Sequence, residues 1–139
     1  MPKTYLYSQK DILSVAKSLL ESHKKYRKFA LYGSMGVGKT TLIKSLIKEL
    51  KCDDKGSSPT FTIVNQYQSD VVGPVYHADL YRLSKLQDVF NAGIMEIIDG
   101  DEYCFIEWPE LIEDYMDATW VKIRIKSIDA GARMIIVGN

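Results

Sequence analysis

A three-layer α/β sandwich around a mixed, largely parallel sheet is the fold this 139-residue sequence predicts. Two observations carry it. A short apolar run, Phe29-Ala30-Leu31-Tyr32, stops at a glycine-rich turn that leads into an amphipathic helical stretch, Thr41 to Leu50. A second apolar run, Tyr103 to Ile106, ends in an acid, Glu107. Strands that alternate with helices in this way fold as a sheet covered on its faces by helices.

The elements follow in order. Ser8 is placed as the N-cap of a first helix, with Asp11 adding negative charge to its first turn. Ile12, Val15, Ala16, Leu19 and Leu20 recur at helical spacing, and the helix should end near His23 to Lys25. Phe29 to Tyr32 is a buried strand, and Leu42, Ile43, Leu46, Ile47 and Leu50 mark one side of the next helix. Gly56-Ser57-Ser58-Pro59 signals a loop before a strand from Phe61 to Tyr67. Val71 to Tyr81 is expected as a strand interrupted at Gly73-Pro74. Leu86 to Asp99 is expected as one helix, with Gly93 inside it. Pro109 is tolerated in the first turn of a short helix after Trp108. Val121, Ile123 and Ile125 alternate with Lys122, Arg124 and Lys126 as a half-exposed strand. Met134 to Val137 is the last strand, and Gly131 allows a hairpin between the two.

One domain spanning residues 1–139 is expected from the length. The 46% of hydrophobic residues supply one core and exclude general disorder. Lys plus Arg and Asp plus Glu number 18 each, so strong unaided binding to nucleic acid or an acidic membrane is not expected. The basic run Lys24, Lys25, Arg27 and Lys28 is assigned to a solvated helix end. No apolar stretch reaches membrane-spanning length, and Met1 to Lys10 shows no secretory signal. Cys52 and Cys104 are far apart and outside any Cys-x-x-Cys pair, so the expected compartment is the cytoplasm, with Cys104 a small core hydrophobe.

Gly33-Ser34-Met35-Gly36-Val37-Gly38-Lys39-Thr40 fits G-x-x-x-x-G-K-[ST] in full. The glycines let the backbone wrap a phosphate, and the loop N–H groups face it at the positive end of the next helix. Lys39 is placed to neutralise β- and γ-phosphates, and the Thr40 hydroxyl to ligate Mg²⁺. The pattern follows an apolar strand and opens a helix, which is its confirming context. The expected architecture is therefore that of a P-loop nucleoside triphosphatase.

Such a site also needs a carboxylate. Glu107, at the C-terminal end of an apolar strand, is assigned a metal-side or water-orienting role, because ligands bind at that end of parallel sheets. Asp79, in His77-Ala78-Asp79-Leu80-Tyr81-Arg82, is equally suited to a site role or to a salt bridge with Arg82. His77 is read as a hydrogen-bonded structural residue.

Four stretches together resemble the TsaE (YjeE) family of P-loop ATPases in bacterial tRNA threonylcarbamoyladenosine biosynthesis. They are Gly33 to Thr41, Ser58-Pro59-Thr60-Phe61-Thr62, His77 to Arg82, and Ile106-Glu107-Trp108-Pro109-Glu110. The resemblance implies slow hydrolysis of ATP with Mg²⁺ and action with the TsaB–TsaD pair, which performs the transfer to tRNA. It implies that Lys39 and Thr40 hold phosphate and Mg²⁺ and that Glu107 serves the metal. Asp79 falls on a catalytic acid, Thr60 on a nucleotide-sensing switch, Trp108 on a tryptophan beside the active site, and Arg133 on an arginine near the nucleotide. Ser34 replaces the family's usual Asp, Lys44-Ser45 stands where Arg-Gly is common, and a threonine is replaced around Asp11 or Ile12.

Two other functions share the phosphate loop. A small-molecule kinase needs an arginine-bearing lid, yet Arg82 is the only arginine between the loop and Glu107. A nucleotide-dependent binding module with negligible hydrolysis needs no lid, and Ser34 suits it.

Overall fold

The computed structural model describes residues 2–53 and 63–138. Among them seven strands form one sheet. They are β1 (Lys3–Ser8), β2 (Lys28–Tyr32), β3 (Val64–Ser69), β4 (Gly73–Asp79), β5 (Tyr103–Glu107), β6 (Trp120–Asp129) and β7 (Ala132–Gly138). The spatial order is β1-β7-β6-β2-β5-β4-β3. The central strands β6, β2, β5 and β4 run parallel, and antiparallel strands flank them on both sides.

Helices cover the sheet on its two faces. α1 (Ile12–Ser22) and α2 (Lys39–Glu49) pack against Phe29, Leu31, Phe105, Val121 and Ile123. On the other face α3 (Leu86–Asn91), α4 (Ile94–Asp99) and a 3-10 helix, Pro109–Tyr115, cover Ala30, Ala78, Cys104 and Ile106. The period-2 alternation of β5 divides its residues between these faces: Phe105 and Glu107 look toward α2, Cys104 and Ile106 away from it. Cys104 is fully buried, and burial pushes its thiol up to about 12.

Several expectations are corrected. β1 went unread in the sequence. Ser8 caps no helix: its hydroxyl donates to Asp11 Oδ2 at 2.9 Å, and a 3-10 turn precedes α1. β4 begins only at Gly73, because Val71 and Val72 lie in the turn where both N–H groups donate to Ser69 Oγ. The expected helix from Leu86 to Asp99 is two helices, broken at Gly93, whose φ of +75° suits glycine. The loop expected at Gly56-Ser57-Ser58-Pro59 lies outside the described residues, as does the expected strand start at Phe61.

Lys28 is also corrected. It is no part of a solvated helix end but the buried first residue of β2. Its Nζ donates to the carbonyls of Gly100 at 2.5 Å and Glu102 at 2.9 Å, with Ile97 at 3.4 Å. It thus satisfies the carbonyls of the chain as it leaves α4, where the helix ladder no longer supplies donors. Arg27 stacks on Tyr103, 4.8 Å from the ring centre. We expect Lys28→Met to lower the unfolding free energy by about 1–3 kcal/mol, the penalty for stranding such acceptors. Urea denaturation checks this; a loss under about 0.5 kcal/mol, typical of a neutral surface change, would count against the latch.

Candidate active site

The glycine-rich loop joins the C-terminal end of β2 to the first turn of α2. Gly33 is required by space: a Cβ there would lie 2.8 Å from Val37 Cγ1 and 3.0 Å from the Ile125 carbonyl oxygen. Val37 N–H donates to the Ser34 carbonyl at 3.2 Å, and Leu42 N–H to the Gly38 carbonyl at 3.0 Å, which curls the loop into the helix. The Val37 side chain is buried in the core, so the loop is nailed down at its middle.

The acids arrive from neighbouring strands. β4 and β5 are parallel and pair Asp79 with Glu107 at their C-terminal ends. Glu107 is 3% exposed. Its carboxylate accepts from the Thr40 hydroxyl, which lies 2.9 Å from each oxygen, and its Oε2 lies 2.6 Å from His77 Nε2. Burial alone would raise the Glu107 pKa. The hydrogen bond and charge of His77, aided by Thr40 and Lys39, prevail and hold it below the usual carboxylate range.

Lys39 is buried at 4% exposure. Its Nζ donates to the loop's own Gly33 carbonyl at 2.6 Å and sits 3.5 Å from the centre of the Trp108 ring. Burial lowers its pKa, against the opposing pull of Glu107, Asp79 and Glu110. Trp108 is one of two described non-glycine residues with positive φ, at +55°. Backbone in this region is strained for a bulky side chain and clusters at functional sites. The turn carries the ring from the end of β5 across to Lys39 and against Tyr81, 5.0 Å between centroids.

Met35, Gly36, Gly38, Lys39, Thr40 and Thr41 from the loop and helix therefore meet Asp79, Glu107 and Trp108 around one cavity of about 210 Å³. The other expected site residues lie elsewhere. Gly33 and Ser34 line a separate cleft with Tyr32 and Arg124. Val37 contributes its carbonyl to Arg133, whose Nε donates to it at 2.8 Å; Arg133 braces the back of the loop. Asp79 makes no ion pair with Arg82 among the described residues; its Oδ1 accepts from Tyr81 N–H at 3.0 Å. Thr60 lies outside the described residues.

The sequence reading missed His77 as the partner of Glu107, and Tyr81 as a wall of the cavity. His77 was findable. It stands two residues before Asp79 on a strand, hence on the same face, beside a neighbouring strand that ends in an acid.

The donors suit a hard divalent cation. A threonine hydroxyl and one carboxylate meet at 2.9 Å, and the described residues hold no cluster of three His, Cys, Asp or Glu. Mg²⁺ is held in just this way, by one or two carboxylates together with substrate phosphates. Thr40 and Glu107 are the residues that would hold it.

A mixed sheet with a parallel centre, whose glycine loop opens a helix with its first threonine on a carboxylate from the adjacent strand, defines the P-loop α/β class. Residues 6–135 match the family model for threonylcarbamoyl adenosine biosynthesis protein TsaE. The TsaE protein of Rickettsia bellii is 30% identical over 139 residues, covering 99% of this chain and 94% of the relative. That of Bacillus subtilis is 36% identical over 112 residues, 78% of this chain and 69% of the relative. A crystal structure of Bacillus subtilis YdiB superposes with a TM-score of 0.67 at 28% identity, covering 99% of this chain and 86% of that one. The chain belongs to the TsaE family of tRNA threonylcarbamoyladenosine biosynthesis proteins.

The depressed Glu107 pKa has a consequence for stability. A carboxylate with a lower pKa folded than unfolded stabilises the fold above about pH 4.3, its ordinary value, and loses that contribution as pH falls through the folded value. Glu107→Gln removes the titration. The unfolding free energy of the unsubstituted protein minus that of the variant should therefore shrink as pH drops below about 4.3. Urea denaturation at a series of pH values checks this, and a difference independent of pH would refute it.

Proposed function

We propose that this chain binds ATP with Mg²⁺ and hydrolyses it slowly, as an accessory protein acting with the TsaB–TsaD pair that modifies tRNA. The observation that carries the reading is the contact between Thr40, at the head of α2, and Glu107, at the end of β5. It brings the hydroxyl of the loop motif and a buried carboxylate to one point, beside a buried lysine. A cavity of about 210 Å³ is smaller than the roughly 300–1,000 Å³ of a whole small-ligand pocket. It suits the phosphate tail of a nucleotide, with base and ribose outside.

Each residue then has a task. The loop N–H groups receive phosphate oxygens. Lys39 exchanges its neutral Gly33 acceptor for a charged one, a hydrogen bond roughly twice as strong. Bound Mg²⁺ supplies charge neutralisation on the phosphate oxygens. Asp79 lines the cavity with one oxygen held by Tyr81 N–H, and with Glu107 it is the acid available to orient water. Attack of that water on the γ-phosphorus breaks the bond to the bridging oxygen and releases ADP and phosphate.

The binding-module reading draws on one observation. Glu107 is already engaged by Thr40 and His77, so this carboxylate is not free to act as a base without losing partners. The same fact favours slow turnover. Among the described residues that line the cavity, Lys39 is the one cation and no arginine stands as the lid a kinase needs.

Lys39→Ala should bring ATP turnover to background and lower nucleotide affinity at least ~10-fold, as phosphate release and calorimetry would record. Unchanged turnover would sink the assignment. A screen of nucleosides and sugars with ATP should yield no phosphorylated product. Co-purification with TsaB and TsaD should depend on ATP.

A further inference from the structure

We propose that His77 is a positioning residue for Glu107, fixing one carboxylate oxygen so that the other is presented to a divalent cation at Thr40. The inference rests on the ATP and Mg²⁺ reading above and goes beyond it by assigning a residue that touches neither.

Three observations carry it. First, His77 Nε2 and Glu107 Oε2 are 2.6 Å apart, with both side chains buried. That is a short contact for an N–H···O hydrogen bond, and its acceptor is a carboxylate. Second, His77 does not line the cavity, whereas Glu107 and Thr40 do. It can act on a ligand only through Glu107. Third, Oε1 has Thr40 as its protein partner, whereas Oε2 is shared between Thr40 and His77. The two oxygens are thereby made unequal, and Oε1 is the one left for a cation.

The alternative conformation explains why a positioner is needed. Lys39 acts electrostatically on Glu107, yet among the described residues the two make no ion pair. A glutamate carries several rotatable bonds. Released from His77, it is free to swing toward the lysine, which would take the carboxylate from the cation and the ammonium from the phosphates at once. The strand geometry prevents this. His77 and Asp79 share a face of β4, and β4 pairs in parallel with β5, so His77 lies one step behind the acid on its own side of the sheet. Partners of metal ligands in this position typically change metal affinity ~10–100-fold when removed.

The experiment is equilibrium binding of a non-hydrolysable ATP analogue by calorimetry, in EDTA and across a Mg²⁺ series, for the full chain and three variants. His77→Leu removes the donor. His77→Gln places an amide N–H near the position of Nε2, and His77→Asn keeps polarity but is too short to reach. Affinity in EDTA should stay within ~2-fold for all, because the loop and Lys39 are untouched. The Mg²⁺ concentration at half-effect should rise ~10-fold or more for Leu and Asn and return to within a few-fold of normal for Gln. Equal Mg²⁺ requirements in the Gln and Asn variants would overturn the proposal even if the Leu variant does not fold. Parallel losses in EDTA and in Mg²⁺ would also overturn it, showing a merely structural histidine. Failure of the unsubstituted protein to bind the analogue would overturn the ATP reading and this inference together.

Discussion

A buried carboxylate at the end of a strand is the constraint on which the site depends. Glu107 stands where the alternation of β5 calls for an apolar residue facing α2. Stripped of partners, a charge in that position would be strongly destabilising. It is met from two sides, by the first turn of α2 through Thr40 and by β4 through His77. Satisfying one anion therefore ties the helix to the sheet and joins the three elements that line the cavity.

The glycine loop is suspended from this tie. Its start is fixed by the close approach of Gly33 to β6, and its middle by Arg133, which reaches from β7 to the Val37 carbonyl. Its end is fixed by Thr40 on Glu107. Between start and middle, Ser34, Met35 and Gly36 remain exposed. A loop clamped at both ends keeps its N–H groups oriented before any anion arrives, so little ordering entropy remains to be lost on binding. The antiparallel hairpin of β6 and β7 is thus more than an extension of the sheet; it supplies the brace.

Much of this was legible in the residues, and the gaps have physical reasons. The strand Tyr103–Glu107 was read to the residue, because a continuous apolar run bounded by polar groups is the signature of a strand buried on both faces. β1 escaped because its sequence, Lys-Thr-Tyr-Leu-Tyr-Ser, turns its tyrosines inward and leaves Leu6 68% exposed, reversing the usual apolar rule. The break at Gly93 was visible as a glycine, but its effect depends on the left-handed turn that packs α4 beside α3. Lys28 looked solvated within a run of cations, and only the return of the chain at Gly100 and Glu102 supplies its acceptors. Within the site, the phosphate motif and both acids were readable from local pattern. The Glu107–His77 pair joins residues thirty positions apart; the shared strand face of His77 and Asp79 points to it, and the register of β4 against β5 completes it.

These internal contacts also bear on rate. Lys39 has an acceptor in Gly33 and an aromatic face in Trp108, Glu107 has Thr40 and His77, and Asp79 has the Tyr81 N–H. A ligand entering such a site exchanges contacts rather than filling unmet ones, so each gain is a difference between two good interactions. Acceleration requires that the difference be larger in the transition state than in the ground state. Groups already matched to one another supply little of that excess on their own. The cavity walls at Met35 and Tyr81 are 62% and 55% exposed, so its rim is open. A protein that covered the rim would exclude water and strengthen every charge interaction inside. Under the ATPase proposal, slow turnover alone and faster turnover once a partner covers the rim would both follow from this arrangement of residues.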